Sequence, residues 1–454
     1  MGLRVARPTA WAARLVAAGL ALLAFAATAP VARALPSFAR ETQQPCSKCH
    51  VGAFGPQLKQ NARDFKLFGY TQGIGPQELK EISLVLQGSF THTNAPQDPP
   101  PDPHYGRNDN FAVDEIAAFF GGKLVGGAGA FAEISYDAVA RKGAIGQVDV
   151  RRAQQFDLGA HDLVAGLDLN DNPGVQDLWN TTPAWRFPFN SSPLAPAPGA
   201  AALADGGLEQ KVLGVGVYAM LDDTLYLEGA GYRQLNRPAL RFLGVSSENG
   251  DDILGGTAAY WRVALQHNFH DRHYLQIGAY GLAGHFYPGG DRSEGADRYR
   301  DVGVDATYQF TASDQHYVSA HATYLDEDAT LDASSALIGV QRRQRLKTAR
   351  ADVSYSYKDT WTPTVQLFRT WGTSDPLRYA NGSPNSSGLV AELAYTPYGK
   401  VNSSQWWWNM RWAVQYVAYR EFDGLKRGAS ANNTLFLSLW VAMSPLGRKD
   451  PPTR

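Results

Sequence analysis

Cysteine is almost absent from this chain: Cys46 and Cys49 are the only two in 454 residues. Two thiols three positions apart cannot build a disulfide framework. Long apolar runs are also missing. Beyond residue 34 none reaches the roughly 18 residues of a membrane helix, and mean hydropathy is −0.30. A helical membrane protein is therefore excluded. Charge of one sign is lacking too: 42 Lys and Arg against 43 Asp and Glu give a net charge of −1. Such a balance offers nucleic acid no basic face. Neither a nucleophile–base constellation nor a phosphate loop is present. Gly121-Gly122 and Gly126-Gly127 are turn and strand residues rather than a nucleotide motif, because no helix follows them.

The N-terminus is rich where the rest is poor. Arg4, Arg7 and Arg14 precede an apolar stretch, Leu15 to Ala29, and Ala32-Arg33-Ala34 offers small residues to a signal peptidase. The pattern predicts a cleaved signal peptide over 1–34 and an exported mature chain. In that setting the two cysteines acquire meaning. They stand in Cys46-Ser47-Lys48-Cys49-His50, a C-x-x-C-H motif. Two thiols at this spacing add to the vinyl groups of one haem, and the next His becomes the proximal iron ligand. A disulfide across a two-residue gap would constrain little. A thioredoxin-like pair would need a βαβ context, and a zinc site would need more ligands nearby.

Aromatics make up 11% of the chain and glycine 45 residues, and segments of about ten residues alternate in polarity to its end. In 347–358, Ala349, Ala351, Val353, Tyr355 and Tyr357 oppose Thr348, Arg350, Asp352, Ser354, Ser356 and Lys358. A period of two puts successive side chains on opposite faces of a strand. Sixteen such segments can be read between residues 80 and 443. Short connections, such as Asp222 and His270-Asp271, alternate with long ones at 94–110, 172–208, 235–256, 327–346 and 374–386. Short periplasmic turns and long extracellular loops give that beat. The pattern predicts an all-β fold: a sixteen-stranded antiparallel outer-membrane β-barrel over 80–443 with its apolar face on lipid. Residues 444–454 form a polar tail. The aromatic connection 172–208, with Trp179, Trp185, Phe187 and Phe189, is expected to fold inward, because such side chains fare badly in water.

Residues 35–79 are neither signal nor barrel. They hold the C-x-x-C-H motif and apolar candidates for haem walls: Phe38, Phe54, Leu58, Phe65, Phe68 and Tyr70. So short a segment cannot bury a haem alone. It is expected to be a small monohaem plug docked at or inside the periplasmic mouth.

This order of parts resembles the fused cytochrome–porins of the bacterial outer membrane. The resemblance rests on Pro36-Ser37-Phe38-Ala39-Arg40, Phe54-Gly55-Pro56-Gln57-Leu58 and Phe65-Lys66-Leu67-Phe68-Gly69-Tyr70 around the motif. It implies one covalent haem c, with electrons carried from an extracellular donor such as ferrous iron to a periplasmic soluble cytochrome or other carrier. If the chain is an enzyme, the resemblance makes it an oxidoreductase of the ferrous-iron:cytochrome type. Two rival readings remain: a porin gated by its haem plug, and a haem enzyme acting on a small oxidant.

The distal iron ligand is the least determined part. The plug offers no methionine and no second histidine. By strand phase Met410 and Met443 face lipid, whereas Met220 and His321 face the lumen, so these two are the distal candidates. Other inward positions carry both signs, including Glu228, Asp301, Asp305, Asp352 and Glu392 against Arg262, Arg350, Lys358 and Arg411. A hydrated, charge-balanced pore wall is the plain expectation for them. Covalent haem is directly testable: with Cys46→Ser and Cys49→Ser together, the band on a denaturing gel should lose its haem stain, and a retained stain would refute the motif.

Overall fold

The computed structural model describes residues 36–42, 44–72, 82–243, 252–399 and 408–443. The signal peptide expected over 1–34 and the tail at 444–454 lie outside those residues. The wall is one antiparallel sheet of sixteen long strands and one two-residue stub. In chain order the strands are β1 (Ile82–Thr93), β2 (Asn110–Lys123), β3 (Ala128–Asp137), β4 (Lys142–Asp157), β5 (Asp162–Asn170), β6 (Val212–Leu221), β7 (Leu225–Gln234), the stub β8 (Ile253–Leu254), β9 (Thr257–Phe269), β10 (His273–Tyr287), β11 (Asp297–Ser313), β12 (His316–Thr330), β13 (Arg343–Tyr357), β14 (Trp361–Gly372), β15 (Ser386–Tyr395), β16 (Trp408–Glu421) and β17 (Thr434–Met443). Each long strand pairs with its sequence neighbours, β7 passing the stub to meet β9. β1 pairs with both β2 and β17, from Leu84↔Met443 to Thr93↔Thr434, and the sheet closes on itself.

Side-chain placement is the reverse of a soluble protein's. Along β13, Val353 is 52% exposed while its neighbour Ser354 is fully buried. Val215, Leu167, Ile277 and Leu367 likewise point outward and lie open. An apolar exterior of this extent on a closed barrel faces lipid, not water. Among the described residues no helix is long and apolar enough to cross a membrane, so the strands do the crossing. A closed antiparallel barrel with this exterior belongs to the outer membrane of a Gram-negative bacterium. Met410 and Met443 are on the outward face, as their phase requires, packed with Trp408, Trp412, Leu439 and Val441.

The connections explain the hairpins. At Asp222-Asp223, His270-Asp271 and Lys358-Asp359 two successive residues have left-handed φ. A backbone bond closes each turn, Thr224 N to Leu221 O at 2.9 Å being one. Two left-handed central residues make the type I′ turn that matches strand twist. Lys358 is thus in a short turn and exposed, not on the lumen wall where strand phase had placed it. β12 and β13 also run beyond the expected ends. Their pairing continues through Thr330↔Arg343, above the apolar band, where polar outward residues do not interrupt the ladder. The topology predicts that an epitope tag in 94–109 or 373–385 will be read by antibody on intact cells and one in the 358–360 turn will not; the opposite result would invert the barrel.

Candidate functional site

Residues 36–42 and 44–72 do not hang below the barrel. They circle inside the short-turn end. Ser37 N donates to Ser83 Oγ on β1 at 3.2 Å. Ala53 O accepts from Asn409 on β16 at 2.9 Å. Phe54 packs on Trp440 of β17, and Gln57 Nε2 donates to Ser354 Oγ on β13 at 3.0 Å. Lys59 is 3.0 Å from Asp359 in the turn after β13. Arg63 donates to Gln309 of β11 at 2.8 Å and stacks on Tyr274 of β10. Tyr70 Oη donates to Asp149 of β4 at 2.6 Å. Glycine on the wall permits this approach: a Cβ on Gly129 would stand 2.1 Å from Gly69 O, and one on Gly121 2.7 Å from the Phe38 ring.

The motif occupies one short turn of helix, Cys46–Cys49. Pro45 precedes it, where a missing N–H costs nothing. Cys46 and Cys49, three apart on that turn, are on one side of it and are not joined by a disulfide. His50 follows in extended conformation, bridges to Leu58, and donates its backbone N–H to Cys46 O at 2.8 Å. Its ring is buried, and Nδ1 has no hydrogen-bond partner. Burial lowers His50 to about 4, opposed by a backbone hydrogen bond at Gly55 and aided by the positive Lys59, so the imidazole is neutral at pH 7 and can ligate. Burial, reinforced by Cys46 and opposed by Lys59, pushes the Cys49 thiol up to about 12. Two thiols and a buried imidazole with Nδ1 unbonded on one turn are a donor set that fits a c-type haem. Among the described residues no cluster of three or more His, Cys, Asp or Glu could hold a metal ion by itself.

The expected apolar walls are divided between tasks. Phe38, Phe65 and Tyr70 pack against each other, Phe38 stacking on Tyr70 at 5.6 Å between centroids. Leu58 is buried beside His50, Phe54 meets Trp440, and Phe68 leans on the cluster around Leu67. Met220 belongs to that same cluster, enclosed by Leu67, Tyr218, Tyr226 and Trp179. His321 faces the lumen with Nδ1 3.0 Å from Asp352 and Nε2 3.3 Å from Ser319. Ser319 in turn faces Gln309, which holds Leu58 O at 2.8 Å. His321 is therefore on the wall that carries the His50–Leu58 bridge, and Met220 on the wall that carries the end of the helix Gln60–Leu67.

A second insert covers the first. Residues 171–211 fold into the lumen, as their aromatics predicted, with Trp179 and Phe187 buried. Lys66 joins the two inserts, donating to Val175 O, Asp177 O and Asn180 Oδ1 at 2.7, 2.6 and 2.9 Å. Burial and the nearby Arg151 lower its pKa to about 7. The loop then runs around the wall, through Gln366 to Phe187 O and Gln415 to Asn190 O, to Asp205. Burial pushes Asp205 up, but Arg350 at 2.7 Å and then Arg186 hold it below the usual carboxylate range. In this region the lumen wall's charges are met by buried ion pairs.

Arg151, invisible as a candidate in the sequence, ties the parts together. It pairs with Asp149 at 2.9 Å and donates to Lys66 O on the plug and Gln176 O on the loop. Its signal was the same-face pair Asp149 and Arg151 on one strand. Four strands on, the wall repeats the device with Arg262 between Asp177 and Asp305.

No family model and no curated protein matches the chain. Solved structures that resemble it include the outer membrane channel DcaP of Acinetobacter baumannii (14% identity over 80% of this chain and 96% of that one, TM-score 0.44). Others are OprB of Pseudomonas putida (12%, 80% and 93%, 0.45) and an anion-selective porin from Comamonas acidovorans (9%, 80% and 98%, 0.43). Likeness at this level carries nothing about cargo; the fold stands on the strand pairing itself, that of a porin-like outer-membrane barrel.

Arg151→Ala would leave Asp149 charged and buried. We expect a loss of about 3–5 kcal/mol of stability in urea unfolding followed by Trp fluorescence, partly recovered when Asp149→Ala is added; no loss would show that the two inserts are held by other contacts.

Proposed function

We propose that the protein is an outer-membrane electron carrier: a porin-like barrel whose plug holds one covalent haem c and passes electrons from an extracellular donor to a soluble periplasmic carrier. The observation that carries this reading is the Cys46–Cys49–His50 turn, with its buried imidazole whose Nδ1 has no partner, fixed inside the short-turn end of the lumen. Bound haem supplies a one-electron centre whose potential follows its axial ligands and burial. Cys46 and Cys49 would hold it through two thioethers, and His50 would ligate from one face. Lys59, Arg63 and Tyr70 fix the plug to the wall, and so fix the ligand. The loop 171–211 lies over the plug and keeps water from it.

His321 is the stronger distal candidate. Asp352 on its Nδ1 is the carboxylate partner a metal-ligating imidazole usually keeps on its other nitrogen. Met220 is enclosed by apolar side chains beside Leu67. Ferrous iron is the donor we put first, as the resemblance suggests. A gated channel is a second reading, favoured by Lys66, because one side chain couples plug and loop across the lumen.

The purified protein should show a six-coordinate, low-spin haem spectrum and be reduced by ferrous iron. His321→Ala should shift the potential and the spectrum while leaving the haem stain intact. A five-coordinate haem with rapid peroxide turnover would replace this reading by the enzyme, and ion conductance that rises on Lys66→Ala without reduction by iron would replace it by the gate.

A further inference from the structure

Outside the lumen, at the long-loop end, the barrel carries cations above its apolar band. Some are neutralised on the spot. Arg298 and Arg342 share Asp332, and Arg345 and Lys347 share Asp326. Others, Arg300 and Arg343 among them, are not, and three of these gather at one place: among the described residues Arg369, Arg420 and Lys426 make no ion pair, and Arg369 only leans on the Trp371 ring at 5.0 Å. All three are exposed and line one groove of about 820 Å³ between β14, β15 and β16. Its walls continue into Leu367, Leu389 and Ala418, one register step below Arg369 and Arg420. One acid, Glu421, also lines it, so the groove keeps an excess of two positive charges.

The recess has a structural origin. Ser387 and Ala418 are short between longer neighbours, and the register shift at Ser387/Gly388 leaves Arg420 as the extra, unpaired residue of a bulge in β16. Strand bulges of this kind re-aim side chains at a barrel rim.

We propose that this groove binds a phosphorylated glycolipid of the outer leaflet. Two features select that occupant. Unneutralised Arg and Lys side chains above a membrane surface attract phosphate. The floor of the same groove is lipid-facing: Leu367, next to Arg369 on the outward face of β14, is 61% exposed in the apolar band. A soluble polyanion would satisfy the rim and leave that floor bare, whereas a lipid with a phosphorylated head satisfies both. The long-loop end is the extracellular end of such barrels, so the groove opens on the outer leaflet.

The test uses the whole protein in zwitterionic detergent, titrated with bisphosphorylated lipid A and with its dephosphorylated form, bound lipid being counted by native mass spectrometry. We expect the phosphorylated lipid alone to bind tightly. The triple variant Arg369→Gln/Arg420→Gln/Lys426→Gln should weaken it about 100-fold, at roughly fivefold per cation near an anionic surface. Removing already paired cations, Arg298→Gln/Arg345→Gln, should change it little. Ala418→Trp, which fills the recess and keeps every charge, should also lose the lipid. Heat-modifiable gel mobility confirms that each variant is folded. Equal binding of both lipid forms, unchanged binding by the triple variant or by Ala418→Trp, or self-association of the protein through this face would overturn the proposal.

Discussion

In a bilayer no water is present to satisfy a backbone N–H or C=O, so every strand must find two partners. That constraint organises the whole molecule. It demands the β1–β17 seam, because without it two edges would stand open in lipid. It also turns the sheet inside out. With alternate side chains committed to lipid, the other half must meet in the interior, and beside tyrosines and a few aliphatics they are Asp, Glu, Gln, Arg and Ser. A polar interior of this kind cannot close on itself as an apolar core does. It needs water or polar inserts, and this chain supplies two.

Both inserts are therefore held by hydrogen bonds and ion pairs rather than by apolar packing alone. Arg151, Arg262 and Arg350 each bring a guanidinium from the wall to a loop or plug oxygen. Such groups contribute little over a well-packed apolar isostere, yet losing one partner is expensive. They specify where the insert sits. The C-x-x-C-H turn inherits its fixed position from them, since His50 is tied to Leu58, Leu58 to Gln309, and Gln309 to Arg63.

Much of this was legible in the residues. The period of two along 347–358 gave the phase of β13, and the same reading placed Met220 and His321 inward and Met410 and Met443 outward. The strand tops were not legible: Arg343 and Arg345 look like loop, yet they continue the ladder, because hydrogen bonding does not stop where lipid does. Lys358 was assigned to the lumen because alternation alone cannot see a left-handed turn. The tie between Lys66 and Val175, more than a hundred residues apart, leaves no local signal at all. The same holds for any distal ligand, whose partner is set by two walls and an insert meeting in space.

The seam has a further consequence, for the order of events in assembly. The two strands that pair last in chain order, β1 and β17, come from opposite ends of the protein. The plug immediately precedes β1 and touches the wall on every side. An insert bonded around the full circumference is not threaded into a finished cylinder. The wall must wrap around it, so the N-terminal segment acts as the mandrel on which the sheet is rolled.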